Sequence, residues 1–275
     1  IKKIENNVFT TSTLEKLISF IPHFNETDIE ALEDEPYISN INNYRSSLQF
    51  DLSETKLPNL TPEFLSTTWE DVSKQIFKST SFGPELEKSG YYKDDLQKIL
   101  PANNTDLAKM DEIFQFVKGH MKWNGNYGKY TEKGVRKAYK ERIGNSADIN
   151  LMLTSMLRSI GLVANPILVS TRDNGVPLFP TIKGFNYVIS MVEFSNGSYM
   201  LLDATEKYGL PNMLPFRALN WNGRKITKKG TSSWVKLTSD LYASEDNNVM
   251  VKISDDMMVE GMIRTKYDNL NALNY

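Results

Sequence analysis

Three polar residues that lie far apart in the chain, Ser146, Tyr187 and Asp203, could together transfer a proton. Ser146 precedes an apolar run with helical spacing, so it stands at the start of a predicted helix. At that position the helix dipole lowers the pKa of a nucleophile, and the free backbone N–H groups can stabilise an oxyanion. The alternative is that Asn145 or Ser146 simply caps the helix, which stabilises it by about 1 kcal/mol.

Tyr187 and Asp203 fall in or beside segments that are predicted to be strands. The usual tyrosine pKa of about 10 leaves the hydroxyl protonated at neutral pH, so Tyr187 cannot deprotonate a serine unaided. Its alternative role is core packing, with the hydroxyl bonded to a neighbour. In a catalytic triad Asp203 would orient an imidazole. Because no histidine stands there, we expect its carboxylate to accept a hydrogen bond from Tyr187 or from a backbone amide.

Composition removes several kinds of chemistry. The chain contains no cysteine and only two histidines, His23 and His120. A thiol nucleophile, a disulfide and a thiolate zinc site are therefore excluded, and two histidines are too few for a histidine-based metal site. We expect no metal and no cofactor. The net charge of −2, without a basic stripe, argues against nucleic-acid binding, and the apolar runs are too short to span a bilayer.

Helices and strands alternate along the chain in a pattern that predicts an α+β fold. Helices are expected over 11–22 (capped at Thr13), from Thr61 through Ile76, from Leu86 to Leu100 with a break at Gly90, from Thr105 to Met121, over 131–142, and from Ser146. Strands are expected over 45–52, 163–170, 187–194, 199–203, 249–253 and 259–264. The pair Asn196-Gly197 predicts a hairpin turn. Both faces of the 187–194 strand are apolar, so we expect it to lie inside the sheet and to be buried on both sides.

Trp123 opens a loop of glycine, asparagine and aromatic residues that runs from 123 to 130. The loop could cover a cleft in front of the helix that begins at Ser146. The alternative is that Trp123 only closes one end of the core.

The chain resembles, in several segments, the transglutaminase-like core of large bacterial exported proteins, relatives of papain that use a Cys-His-Asp triad. The segments that carry this resemblance are 144–151, 164–172, 185–189, 202–205 and 214–220. It implies helices packed on an antiparallel sheet, with the nucleophile at Ser146, the base at Tyr187 and the orienting acid at Asp203. Only Asp203 keeps the expected residue type. Trp123, Asn145 and Asn186 are then expected to border the cleft.

The same resemblance implies a domain organisation and a cellular setting. We expect the end of an N-terminal β-domain over 1–58, the transglutaminase-like core over 59–232, and the start of a C-terminal β-domain over 233–275. Export to the periplasm or the cell surface is implied as well. No membrane span is expected in this segment.

Loss of both the cysteine and the histidine predicts a pseudoenzyme. Removing the nucleophile or base of a triad costs about a million-fold in rate in the subtilisin case. The expected function is therefore binding of a peptide, protein or glycan in the vestigial cleft, or a scaffolding role. One alternative is a protease-like hydrolase or acyltransferase that uses Ser146. Another is a purely structural spacer between β-domains.

Overall fold

The computed structural model describes residues 3–10, 16–23, 27, 31–33, 35–36, 38–47, 54–55, 63–64, 68–100, 105–239 and 241–275. By internal contacts the chain divides into two compact units, residues 1–46 and residues 47–275. Each unit is described by itself.

The first unit contains an antiparallel hairpin. Strand β1 (Lys3–Thr10) pairs with β2 (Lys16–His23), so that Lys3 lies opposite His23. The expected helix over 11–22 is therefore wrong where the chain is described. The stretch Leu17–Ile21 is rich in β-branched and aromatic residues, which favour strands once a partner strand is available. The proposed cap Thr13 lies outside the described residues.

Residues 38–47 carry one short 3₁₀ turn, Ile41–Asn43, which begins where Asn40 Oδ1 accepts a hydrogen bond from the Asn42 amide at 2.8 Å. Residues 45–47, which were expected to begin a strand, are irregular. The remainder of that expected strand, residues 48–52, lies outside the described residues.

The helical part of the second unit comes first in the chain. Its elements are β3 (Glu54–Thr55), β4 (Glu63–Phe64), α1 (Trp69–Lys78), α2 (Gly83–Leu86), α3 (Lys93–Ile99), α4 (Asp106–His120), β5 (Lys122–Trp123), α5 (Val135–Glu141), β6 (Ile143–Gly144) and α6 (Ser146–Ser159). Helices α3 to α6 fall within the segments expected to be helical, and α4 is capped at Thr105. Helix α2 instead ends at Leu86, where a helix was expected to begin, and the break expected at Gly90 extends over residues 87–92. Helix α1 begins later than expected, because Thr68 Oγ1 accepts the Asp71 amide at 3.1 Å whereas Glu63–Phe64 form strand β4.

A five-stranded antiparallel sheet follows, in the order β11-β10-β7-β8-β9. Its strands are β7 (Val163–Val169), β8 (Tyr187–Glu193), β9 (Tyr199–Leu202), β10 (Asn222–Ile226) and β11 (Ser232–Lys236). Strand β11 carries the same sheet across the expected boundary between 232 and 233. That boundary and the one between 58 and 59 stay predictions.

Strand β8 is buried on both faces, which confirms the expectation from its two apolar parities. Val188 and Val192 pack into the main core, which fills the space between the helices and the sheet. Tyr187, Ile189 and Met191 pack into a smaller core on the opposite face. The chain therefore folds as a mixed α+β unit with helix α6 lying against β7 and β8.

The last elements are a long hairpin and a short helix. Strand β12 (Ser244–Ile253) pairs antiparallel with β13 (Val259–Asp268), and helix α7 (Leu270–Asn274) follows. This confirms the hairpin expected from 249–253 and 259–264. Across the described residues, no helix combines the length and the apolar character that crossing a membrane requires.

Candidate functional site

Asn145 is the N-cap of helix α6, and its side chain is used for that purpose. Its Oδ1 accepts a hydrogen bond from the Asp148 backbone amide at 2.8 Å. The Asn145 backbone amide in turn donates to Asp148 Oδ2 at 3.1 Å, which completes a capping box. The Asn145 Nδ2 donates to the Tyr130 carbonyl at 2.9 Å. The Asn145 side chain therefore fixes the start of the helix and ties it to the preceding loop.

Ser146 is the first residue of α6 and is fully buried. Its Oγ donates to the Gly128 carbonyl and accepts the Gly128 amide, each at 2.9 Å. The hydroxyl proton is thus committed to a backbone carbonyl. A side chain at residue 128 is not tolerated, because an added Cβ would lie 2.3 Å from Asn145 Nδ2. The backbone of the loop at Gly128 therefore packs directly against the start of helix α6.

Tyr187 and Asp203 meet directly, at the ends of β8 and β9. The Tyr187 hydroxyl donates to Asp203 Oδ2 at 2.8 Å, and Thr205 Oγ1 donates to Asp203 Oδ1 at 2.7 Å. Asn150 Nδ2, from helix α6, donates to the same Oδ1 at 2.9 Å. The Asp203 side chain is 1% exposed, and donors occupy both of its oxygens.

Arg217 closes this cluster from the segment between β9 and β10. Its Nη2 donates to Thr205 Oγ1 at 2.7 Å and to the Tyr187 hydroxyl at 3.2 Å, and it pairs with Glu206 at 2.6 Å. The guanidinium also lies over the Trp123 ring, 4.3 Å from its centroid. Cation–π contacts of this kind contribute about 0.5–2 kcal/mol. We call Asn150, Tyr187, Asp203, Thr205, Glu206 and Arg217 the acid cluster.

Protonation of Tyr187 follows from its surroundings. Burial raises the pKa of Tyr187 well above its usual value, and the adjacent Asp203 carboxylate raises it further, against the opposing effect of Arg217. The phenol is therefore a hydrogen-bond donor at neutral pH. It cannot serve as a general base.

His120 does not supply the missing base within the second unit. The His120 ring stacks against Phe116 and Tyr139, and its Nε2 lies 3.0 Å from the Tyr139 carbonyl. His23 belongs to the other compact unit. In the described part of the chain, no group of three or more His, Cys, Asp or Glu residues could hold a metal ion.

The other expected cleft residues separate into two kinds. Asn186 bonds Thr171, with the Thr171 amide 2.8 Å from its Oδ1 and its Nδ2 2.8 Å from Thr171 Oγ1, and so anchors a loop. Trp123 borders a cavity of about 590 Å³ that Ala204 and Thr205 also line. Its ring stacks with that of Tyr127, which contacts the Tyr187 ring edge-on at 5.5 Å.

The structure therefore joins two of the three expected triad positions. Tyr187 and Asp203 share a hydrogen bond, whereas the Ser146 hydroxyl is bonded to Gly128 and not to either of them. The two positions are linked through the loop, because Tyr127 contacts the Tyr187 ring and the next residue, Gly128, bonds the Ser146 hydroxyl. The roles assigned to these positions by resemblance stay predictions.

Sequence reasoning did not assign roles to Asn150, Thr205, Glu206 and Arg217. One signal was present: Ser146, Asn150 and Thr154 recur every four residues along a helix with many apolar side chains, and all three are fully buried. A buried polar stripe needs partners. Asn150 Nδ2 bonds the Val188 carbonyl as well as Asp203, and Thr154 bonds Ser190. Arg217, by contrast, had no local signal.

Comparisons with known proteins agree with this architecture. Residues 96–204 match the transglutaminase-like superfamily. A crystal structure from Parabacteroides distasonis ATCC 8503, of a provisionally assigned protease, is similar at 12% identity and a TM-score of 0.46, covering 86% of this chain and 41% of that one. Another, of a provisionally assigned cysteine protease from Cytophaga hutchinsonii, has 12% identity and a TM-score of 0.35, covering 68% of this chain and 55% of that one.

This chain thus spans less than two thirds of either protein. Among curated proteins, none matches the sequence.

Proposed function

Residues 96–204 form a transglutaminase-like core, and on that premise we propose that this core is catalytically silent and binds a ligand in the cleft beside Trp123. The observation that carries the proposal is the state of Ser146. Its hydroxyl is buried, its proton is donated to the Gly128 carbonyl, and no described base contacts it.

The acid cluster supports the same conclusion. In a working triad the carboxylate orients an imidazole, which then accepts the proton of the nucleophile. Here the carboxylate is occupied by Tyr187, Thr205 and Asn150, and the phenol keeps its proton. These groups stabilise one another and leave no acceptor for a serine proton.

Binding is favoured over a spacer role by the cavity next to the acid cluster. A volume of about 590 Å³ falls within the range of small-molecule sites, roughly 300–1,000 Å³. A spacer between domains needs no such cavity. The vestigial cleft is thus the part of the core that a ligand would use.

A labelling experiment tests catalytic silence. The full chain is incubated with a fluorophosphonate probe from pH 6 to pH 10, beside an active serine hydrolase and the Ser146→Ala variant. We expect labelling of the hydrolase alone. Labelling of the chain that disappears in Ser146→Ala would establish the hydrolase or acyltransferase alternative instead.

A paired substitution tests whether residues 146 and 187 are the triad positions. In Ser146→Cys with Tyr187→His, we expect a thiol pKa clearly below the usual value of about 8.5. The Ser146→Cys single variant is the control, because it isolates the contribution of the helix N-terminus. An identical thiol pKa in the two variants would show that positions 146 and 187 do not form a pair.

The resemblance to exported bacterial proteins supports a periplasmic or cell-surface location within a longer multidomain protein. Fractionation of the source bacterium with an antibody against this core tests it. Recovery of the protein only in the cytosolic fraction would contradict the proposed location.

A further inference from the structure

Among the residues that the structure describes, the cavity beside Trp123 is lined by cationic side chains and by no carboxylate. Lys118, Lys122 and Lys207 all border it, and Gln115 and Thr205 add an amide and a hydroxyl. Trp123 supplies an aromatic wall. Lysines usually extend into solvent or pair with acids, and here Lys122 and Lys207 are exposed whereas Lys118 is buried. The positive charge of these three side chains is therefore not balanced by an acid among the described lining residues.

Lys118 is the most constrained of the three. It is only 8% exposed, its Nζ donates to the Gly209 carbonyl at 2.6 Å, and it lies over the Phe114 ring at 4.5 Å. Burial lowers the pKa of Lys118, which means that its surroundings stabilise the charge incompletely. The Gly209 carbonyl and the Phe114 ring therefore hold the ammonium group in place. They do not fully compensate its charge, so the charge can still attract a ligand.

Two nearby sources of negative charge have to be counted. Lys118 lies in the last turn of α4 and Lys122 follows the end of that helix by two residues, and the helix dipole there amounts to about half a negative charge. Asp111 attracts Lys118 from a longer range, and its Oδ1 already accepts from Gln115 Nε2 at 3.2 Å. Together they offset less than the charge of the three lysines, none of which forms an ion pair with a described residue.

The acid cluster behind the cavity does not supply the missing anion. Glu206 pairs with Arg217 at 2.6 Å, and Asp203 is buried and occupied by its own donors. Both carboxylates are thus engaged by partners within the acid cluster. The cavity wall retains its positive character.

We infer that this cavity binds a small organic anion that carries two or more negative charges, with Lys118, Lys122 and Lys207 as its charge partners. The inference deepens the proposed binding function and rests on it. Carboxylate and phosphate groups share the required chemistry, because an ammonium group binds either as a point charge. The volume of the cavity indicates a ligand of metabolite or dipeptide size.

Isothermal titration of the full chain tests the inference with four probes: citrate, inorganic phosphate, the dipeptide Glu-Glu and the neutral dipeptide Gln-Gln. We expect saturable binding of at least one anion, at least tenfold weaker binding of Gln-Gln than of Glu-Glu, and weaker binding at higher salt. The preferred anion then identifies whether the ligand is a carboxylate or a phosphate.

Variants locate the site. Lys122→Gln and Lys207→Gln change exposed side chains, so the fold is retained, and each is expected to weaken anion binding about five- to tenfold. Lys118→Met keeps the length of the buried side chain, and we expect it to weaken anion binding more than either of these two variants. Lys74→Gln, an exposed lysine on α1, is the matched control and should leave the affinity unchanged.

Anion binding that survives all three cavity variants, or that is lost equally in Lys74→Gln, would overturn the inference. Equal binding of Gln-Gln and Glu-Glu at the cavity would also overturn it, while the proposed binding function would stand. Absence of binding by every probe overturns the anion inference, and catalytic silence is judged separately by the labelling experiment.

Discussion

The start of helix α6 and the acid cluster occupy the two halves of the expected catalytic centre, and they are held together differently. At the helix start, the bonds of Asn145 and Ser146 reach partners between 3 and 18 residues away. In the acid cluster, Arg217 reaches Tyr187 across 30 residues and Asn150 reaches Asp203 across 53. One half is built from contacts that are close in the sequence, and the other joins distant segments around the buried Asp203 carboxylate.

This difference predicts how strongly substitutions in each half reduce the stability of the fold. The helix start fixes the serine through backbone groups, so its loss should cost little more than a cap. The acid cluster buries a carboxylate and satisfies it with donors from three segments, so its loss leaves several polar groups unpaired. We expect substitutions in the two halves to differ by several-fold in their effect on stability.

The largest effect is expected for Asp203→Ala. Removal of one partner from a buried charged network typically costs about 3–5 kcal/mol, because the other partners stay buried without compensation. Asn150, Tyr187 and Thr205 would lose their acceptor, and Arg217 would keep only Glu206 as an anionic partner. Urea denaturation followed by circular dichroism measures the change in free energy of unfolding.

Asp203→Asn is the control for shape, since it keeps the size of the side chain and changes its charge. We expect a smaller loss than for alanine. If Asp203→Ala costs less than about 1 kcal/mol, the carboxylate does not hold the cluster together.

A smaller effect is expected for Tyr187→Phe, which removes only the phenol oxygen. Hydrogen bonds to charged groups contribute about 1.5–3 kcal/mol, so we expect a loss of about 2 kcal/mol near pH 7. The exposed Tyr199 offers the matched control, and Tyr199→Phe should be nearly neutral. The measurement is the same urea titration. A loss as small as that of the control would mean that the phenol contributes only its ring.

The pH dependence of Tyr187→Phe follows from the raised pKa of Tyr187. The folded state keeps the phenol proton at pH values where the unfolded state, with a pKa of about 10, loses it. The stabilisation is therefore fully present below about pH 10 and declines as the pH rises further. The stability gap between the wild type and Tyr187→Phe should be constant from pH 7 to pH 9 and narrow above pH 10. A gap that widens above pH 10 would mean that the buried phenol is ionised in the fold.

The same contrast explains how much could be predicted from the sequence. Helix α6 and its cap were predictable, because Asn145 and Asp148 are capping residues at the correct spacing ahead of an apolar run. The burial of β8 was predictable from its two apolar faces. Tyr187 was one of the two hydrogen-bond donors expected for Asp203. This bond could be predicted because it requires only that the two residues lie at the same edge of neighbouring strands.

Arg217 could not be predicted in its role, because its partners come together only in the folded sheet. The error over 11–22 has a related cause. Residues Leu17–Ile21 suit either a short helix or a strand, and the pairing with β1 decides between them. Local signals thus account for the helix start, and tertiary contacts account for the acid cluster.

The smallest effect is expected for Asn145→Ala, at the local half of the comparison. The substitution removes the acceptor for the Asp148 amide and the donor to the Tyr130 carbonyl. Loss of an N-cap costs about 1 kcal/mol. Asn145→Ser keeps a capping oxygen but loses the bond to Tyr130, so its cost should be lower than that of alanine and should measure the tie between helix and loop. Urea titration gives both values. If Asn145→Ala destabilises the fold more than Asp203→Ala, the order of the two halves is reversed, because local capping would then outweigh the burial of a fully bonded carboxylate.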